Sequence, residues 1–167
     1  MNIMKEVHIE PQVLGNFSLS QAFDLLFSIE MLKNIHGSSV KVSEWKDDER
    51  TIKFSINVDA IPYEVRVFFC GDQLRITTRQ RRYKETEKRW IIENKMRMHF
   101  MFAELFQVHP TFILETIDGN TYLQVRVEHH AILPTPLNNI VETFMASQTE
   151  RELNDYKDVI EQAIRTS

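Results

Sequence analysis

Hydrophobic and polar residues alternate every second position through most of this chain, and near its end the spacing turns helical. From Leu137 onward apolar residues fall at Ile140, Val141, Phe144 and Met145, then at Leu153, Tyr156, Val159, Ile160, Ala163 and Ile164. That i, i+3, i+4, i+7 spacing marks one face of a helix. A polar gap from Ala146 to Glu152 interrupts the stripe, but it holds no glycine or proline, so the spacing predicts a single helix through it. Such a helix is about 45 Å long at the usual rise per residue. It cannot bury its own stripe and needs a partner surface.

The alternating stretches supply that surface. Val7 and Ile9 belong to a first strand over residues ~4–16, which Gly15-Asn16 ends. Ser18 or Ser20 then caps a helix carrying Ala22, Phe23, Leu25, Leu26 and Phe27, and a second short helix spans Glu30 to Ile35 with Gly37 as its C-cap. Strands are predicted at Val40 to Lys46, at Ile52 to Val58 after the turn Asp47 to Arg50, at Val65 to Phe69 after Pro62, and from Leu74 to Thr78. Gln80 to Lys88 reads as a long connection or hairpin tip. The longest alternation follows. Trp90, Ile92, Asn94, Met96, Met98, Phe100 and Phe102 share one face, while Arg89, Glu93, Lys95, Arg97 and His99 lie on the other. Phe100 to Gln107 allows a helical turn or bulge. Phe112 and Leu114 mark another strand, Asp118-Gly119-Asn120 a hairpin turn, and Leu123 to Leu133 the last strand, with Val125, Val127, His129 and Ala131 on one face. The expected architecture is α+β: about seven antiparallel strands in a curved sheet, two short helices, and the long C-terminal helix across it, in one domain over residues 1–167.

Charge adds a contrast. The chain carries a net −4, yet nine basic residues face three acidic ones between Arg75 and Arg97. Arg79, Arg81, Arg82 and Lys84 head this region and suit an anionic membrane surface or an acidic protein. A solvated strand face is the plain alternative. Tyr83 and Trp90 beside the arginines also fit single-stranded nucleic acid, but interleaved acids and an acidic body weigh against it. The lone cysteine, Cys70, excludes an internal disulfide and fits a reducing compartment. There is no apolar run of membrane-spanning length, and the N-terminus lacks a signal-peptide core, so a cytoplasmic protein is expected.

Two local stretches carry a resemblance. Phe17 to Ser28, with Val42-Ser43-Glu44-Trp45 and Arg50 to Phe54, is similar to the opening of VASt-type sterol-transfer domains, and Leu133-Pro134-Thr135-Pro136-Leu137 leading into the helix is similar to several START-like proteins. The order of elements as a whole resembles the helix-grip fold of the START-like superfamily, which includes the birch-pollen-allergen-like lipid carriers. The resemblance implies a cavity between sheet and C-terminal helix for a lipid or sterol-like ligand. Some members are cyclases or hydrolases, and others are ligand-free adaptors.

Trp90, Asn94, Met96, Met98, Phe100, Phe112, Val127 and His129, with Phe144 and Met145 of the helix, are the expected cavity lining. Large, adaptable apolar side chains suit such a ligand, and a packed core is the alternative. Asn94 and His129 are the polar residues on these apolar faces and must find hydrogen-bond partners there, in the ligand or in the protein. No cofactor is indicated. His129 and His130 point to opposite faces, and no HxH, HExxH or cysteine pair is present, so no metal site is expected. Nothing nominates a nucleophile or a reaction, and a non-catalytic role is expected. An enzyme of this fold would draw on Asn94, His129 and Glu115, and a ligand-free interaction module would use the basic strand face.

Overall fold

The structure, a computed structural model, describes residues 4–57, 59, 63–66, 73–100, 103–131 and 137–166 and most of their side chains; those of Phe100, Phe144 and Met145 are outside the description. Strand β1 (Met4–Gly15) opens the chain. Helix α1 (Leu19–Phe27) starts at Ser18, not Ser20, because Ser18 and Gln21 complete a reciprocal capping box. Ser18 Oγ accepts from the Gln21 amide at 3.1 Å, and Gln21 Oε1 accepts from the Ser18 amide at 2.9 Å. Ser28 ends α1 and caps α2 (Ile29–His36), and Gly37 closes α2 at φ 96°, where a side chain would be strained.

The sheet has seven strands, all antiparallel, in the order β1-β7-β6-β5-β4-β3-β2. They are β2 (Lys41–Val42), β3 (Glu49–Asn57), β4 (Gln73–Thr86), β5 (Arg89–Phe100), β6 (Ala103–Ile117) and β7 (Asn120–Ala131), besides β1. Two-residue turns close the main hairpins. Asp47 and Asp48 take φ 51° and 60°, and Asp118 and Gly119 take φ 50° and 80°, the left-handed values that match strand twist. At the sheet edge, the β1–β7 register shifts between Ile9 and Gln12. Pro11 falls in that shift, where a missing N–H costs least. Helix α4 (Leu137–Thr166) runs unbroken through the polar gap. Tyr156 and Ile160, one turn apart, are its buried residues among those described.

Three expectations change. Val65 lies in a short helix, α3 (Tyr63–Arg66), rather than a strand; residues 67–69 of that expected strand lie outside the described residues. A few alternating residues fit one helical turn as well as a strand, and here Arg66 Nη2 donates back to the Asp59 carbonyl at 2.8 Å. Only Lys41 and Val42 of the expected Val40–Lys46 strand pair as a ladder. Gln80 to Thr86 is strand, not connection, so the β4–β5 hairpin turns only at Glu87-Lys88. Charged side chains on both faces hide the alternation there.

Candidate functional site

Register turns the inward positions of neighbouring strands into rungs across the sheet. Nearest the β4–β5 turn, Lys84 stands opposite Trp90, and Trp90 opposite Leu114. The next rung is Arg82, Ile92, Phe112 and Val125. The third is polar: Arg50 lies opposite Gln80, and Gln80 opposite Asn94. The fourth is Ile52, Thr78, Met96, Val108 and His129, and the fifth begins with Phe54, Ile76 and Met98.

The third rung is a continuous hydrogen-bond chain. Arg50 Nη2 donates to the Phe27 carbonyl at 2.8 Å, and Arg50 Nε to Gln80 Oε1 at 2.7 Å. Gln80 Nε2 donates to Asn94 Oδ1 at 2.8 Å, and Asn94 Nδ2 to the Pro110 carbonyl at 3.2 Å. The last bond has a backbone cause. Pro110 sits in a central strand without an N–H to donate, and the β5–β6 ladder carries no pairs between Glu93–Thr111 and Met96–Val108. The Asn94 side chain meets the carbonyl that the ladder leaves there. Burial, then the nearby Arg82 charge, lower the Arg50 pKa to about 10 against an opposing pull from Tyr156.

A pocket of about 530 Å³ opens beside the first two rungs. Ser20, Phe23 and Asp24 of α1, Asp48 of the turn, and Arg82, Tyr83, Lys84, Trp90, Ile91 and Ile92 line it. Its walls are aromatic and charged, with Arg82 and Lys84 set against Asp24 and Asp48. Arg82 lies 4.1 Å from the Trp45 ring centre and 5.4 Å from that of Phe23, and its Nε is 3.2 Å from Asp48 Oδ1. Lys84 Nζ is 4.7 Å from the Trp90 ring centre. The ring contacts hold both cations over aromatic faces, and the Asp48 carboxylate offsets the Arg82 charge.

The expected lining divides along the rungs. Asn94, Met96, Met98, Phe112, Val127 and His129 are all buried on the inward face, but of the expected set only Trp90, among the residues whose side chains are described, lines the pocket. No described α4 residue lines it. Instead Tyr156 packs against Phe112 at 5.5 Å and Phe27 at 6.4 Å between ring centres, which fills that part of the interface. Arg79, Arg81, Arg82 and Lys84 do not share one face of the sheet. Arg79 binds Glu49 and Arg81 lies over Tyr83, whereas Arg82 and Lys84 turn toward the aromatic rings of the pocket. Glu115 pairs with Arg89 at 3.8 Å on the face opposite Asn94 and His129, so those three do not form one site.

Several residues of the interior escape sequence reasoning. Arg50 continues the Ile52–Phe54 alternation backward, and Gln80 continues Ile76–Thr78 forward, so period two extended by one step finds both. Glu152 lies one turn before Tyr156 on α4, with Oε1 3.9 Å from His36 Nδ1. The His36 ring stacks on Phe54 at 4.0 Å. Burial lowers the His36 pKa to about 4; burial, then the Asp155 carboxylate, raise that of Glu152 to about 7. Both shifts favour neutral groups, so this contact is not a strong ion pair at neutral pH. On the outer face, His109, Glu128 and His130, which the sequence motifs do not bring together, meet across β6 and β7. Burial, then the charges of His130 and Lys95, push the His109 pKa down.

No protein-family model matches the chain, and no curated protein matches it. Solved structures do. The Zhui aromatase/cyclase from Streptomyces sp. R1128 superposes with a TM-score of 0.65 at 11% identity, over 97% of this chain and 96% of that one. A START superfamily protein from Mycobacterium smegmatis gives 0.57 at 13% identity, over 97% and 98%. Human STARD10 gives 0.52 at 13% identity, over 90% of this chain and 62% of its own. The fold is the START-like helix-grip fold. Among the described residues, no helix is long and apolar enough to cross a membrane.

Proposed function

We propose that this single-domain protein binds a hydrophobic small molecule, lipid or sterol-like, without catalysis. The pocket beside Phe23 and Trp90 carries the reading. Its volume of about 530 Å³ lies in the range of small-molecule sites, with Phe23, Trp90 and Ile92 as its apolar wall and the polar Arg50–Gln80–Asn94 rung as the next one inward. Each 100 Å² of apolar ligand surface buried there contributes about 2.5 kcal/mol before the costs of association. Lys84 and the Arg82–Asp48 pair at the mouth suit a polar head group, with the apolar body toward Ile92. The similar folds of a START superfamily protein and an aromatase/cyclase support a ligand-binding interior. The test is native mass spectrometry of delipidated protein incubated with a lipid extract. A retained ligand is expected, and a bare protein at every lipid concentration would sink the reading.

A second reading, an interaction surface for anionic membranes, has one observation of its own. Arg79 stands directly opposite Lys95 on the outer face. Like charges paired across strands are destabilising; Glu49, bonded to Arg79, offsets part of that repulsion, and an anionic surface would relieve the remainder. Wild type is expected to sediment with phosphatidylserine vesicles and not with neutral ones, and Arg79→Glu with Arg81→Glu to abolish this. Equal sedimentation of wild type and variant would contradict it.

A further inference from the structure

We propose that His109, Glu128 and His130 form a binding site for a divalent transition metal, zinc in the first place, on the outer face of the sheet. The register builds it. Glu128 stands opposite His109, and His130 opposite Gln107, so four polar side chains make a two-by-two block across β6 and β7. His130 faces outward because its neighbour His129 is buried inward. Sequence spacing hides the set, since it joins two strands through a hairpin.

The three prospective ligands offer nitrogen and oxygen atoms within 4.8 Å of one another, and all three residues are half-buried. A tetrahedral ion with ligands at about 2.1 Å spaces them roughly 3.4 Å apart. Closing that gap takes side-chain movements on the order of 1 Å, well within rotamer adjustment. The His109 and His130 ring centres are already 4.6 Å apart. Glu128 Oε2 is 3.7 Å from His130 Nε2. Two imidazoles and one carboxylate suit zinc, nickel or copper and not calcium or magnesium, which prefer oxygen ligands.

Gln107 supplies outer support. Its Oε1 is 3.2 Å from His109 Nε2; when that nitrogen carries the proton and donates, Nδ1 keeps the lone pair for a metal. Three protein ligands leave a fourth position to water or to a group of a second molecule. Lys95 and Arg97 contribute positive charge near His109, which works against a cation and weakens its binding.

The test is calorimetric titration of the metal-stripped full chain with zinc chloride. One ion per chain is expected, with binding weakened about tenfold or more in His109→Ala, His130→Ala and Glu128→Gln. Cobalt(II) should give the visible absorption of a four-coordinate site in wild type and lose it in the variants. Far-UV circular dichroism identifies any variant that has not folded, and His109→Gln then takes its place. No zinc binding in wild type overturns the proposal, as does equal binding by the folded variants. The site is on the face opposite the pocket, so lipid retention should not change with zinc.

Discussion

Arg50 shows how a single buried charge is tolerated. It lies 7% exposed at the inner end of the polar rung, bonded to a carboxamide and a backbone carbonyl. Removing Gln80 leaves a guanidinium short of a buried partner and also frees Asn94 Oδ1. Removing Arg50 leaves two neutral acceptors but also removes a buried charge. The first loss is larger. Gln80→Leu is expected to cost about 3 kcal/mol and Arg50→Met about 1 kcal/mol. The double variant should fall short of their sum by on the order of 1 kcal/mol, because the residues share one bond. Urea unfolding of the four proteins closes this cycle, and a strictly additive result would contradict the network. Asn94 was legible from sequence as a polar residue on an apolar face. Its partners were not, because hydrogen bonding to Gln80 and Pro110 depends on cross-strand register, and alternation within one strand carries no register.

Helix α4 is the element where pattern and structure differ most usefully. Its length and continuity were legible, since no helix breaker interrupts it. The polar gap hid Glu152, which belongs to the inward face by its spacing from Tyr156 yet looks like solvent-facing polarity in sequence. The raised Glu152 pKa gives a signed prediction. A carboxyl whose pKa rises from 4.5 to about 7 on folding contributes stability below pH 4.5 that is lost as pH rises through 7. Glu152→Gln removes this loss. The stability of the variant relative to wild type should therefore grow between about pH 4.5 and 7 and level off above. Its side chain stays 37% exposed, which limits the size of the effect. His36 acts in the opposite sense, with stability present above pH 6.5 and lost as pH falls through about 4, but it is common to both proteins. Urea midpoints across this pH range check the prediction, and a pH-independent difference would contradict the raised Glu152 pKa.

At the scale of the whole molecule, alternation and turn residues were enough to read the sheet, the two capped helices and the closing helix. The Asp118-Gly119 turn and a serine cap on α1 are local chemistry that survives in sequence, although Ser18 and Ser20 fit that cap equally until the Gln21 capping box decides for Ser18. Where both faces of a strand are charged, as from Arg81 to Thr86, the period vanishes, and a long connection and a hairpin tip fit the sequence equally; the strands in fact run to the two-residue turn at Glu87-Lys88. That hairpin and α1 make the pocket mouth, so the site was only partly legible: Trp90 came from its strand face, but Phe23, Asp24 and Asp48 join it only through tertiary packing. The central claim is that this mouth admits a hydrophobic ligand. Its most direct test is native mass spectrometry after lipid-extract incubation, run on wild type beside Ser20→Trp, whose added ring fills the mouth from the exposed side of α1. The account predicts a bound lipid mass in wild type and little or none in the variant. No ligand in wild type, or equal retention by both, would contradict it.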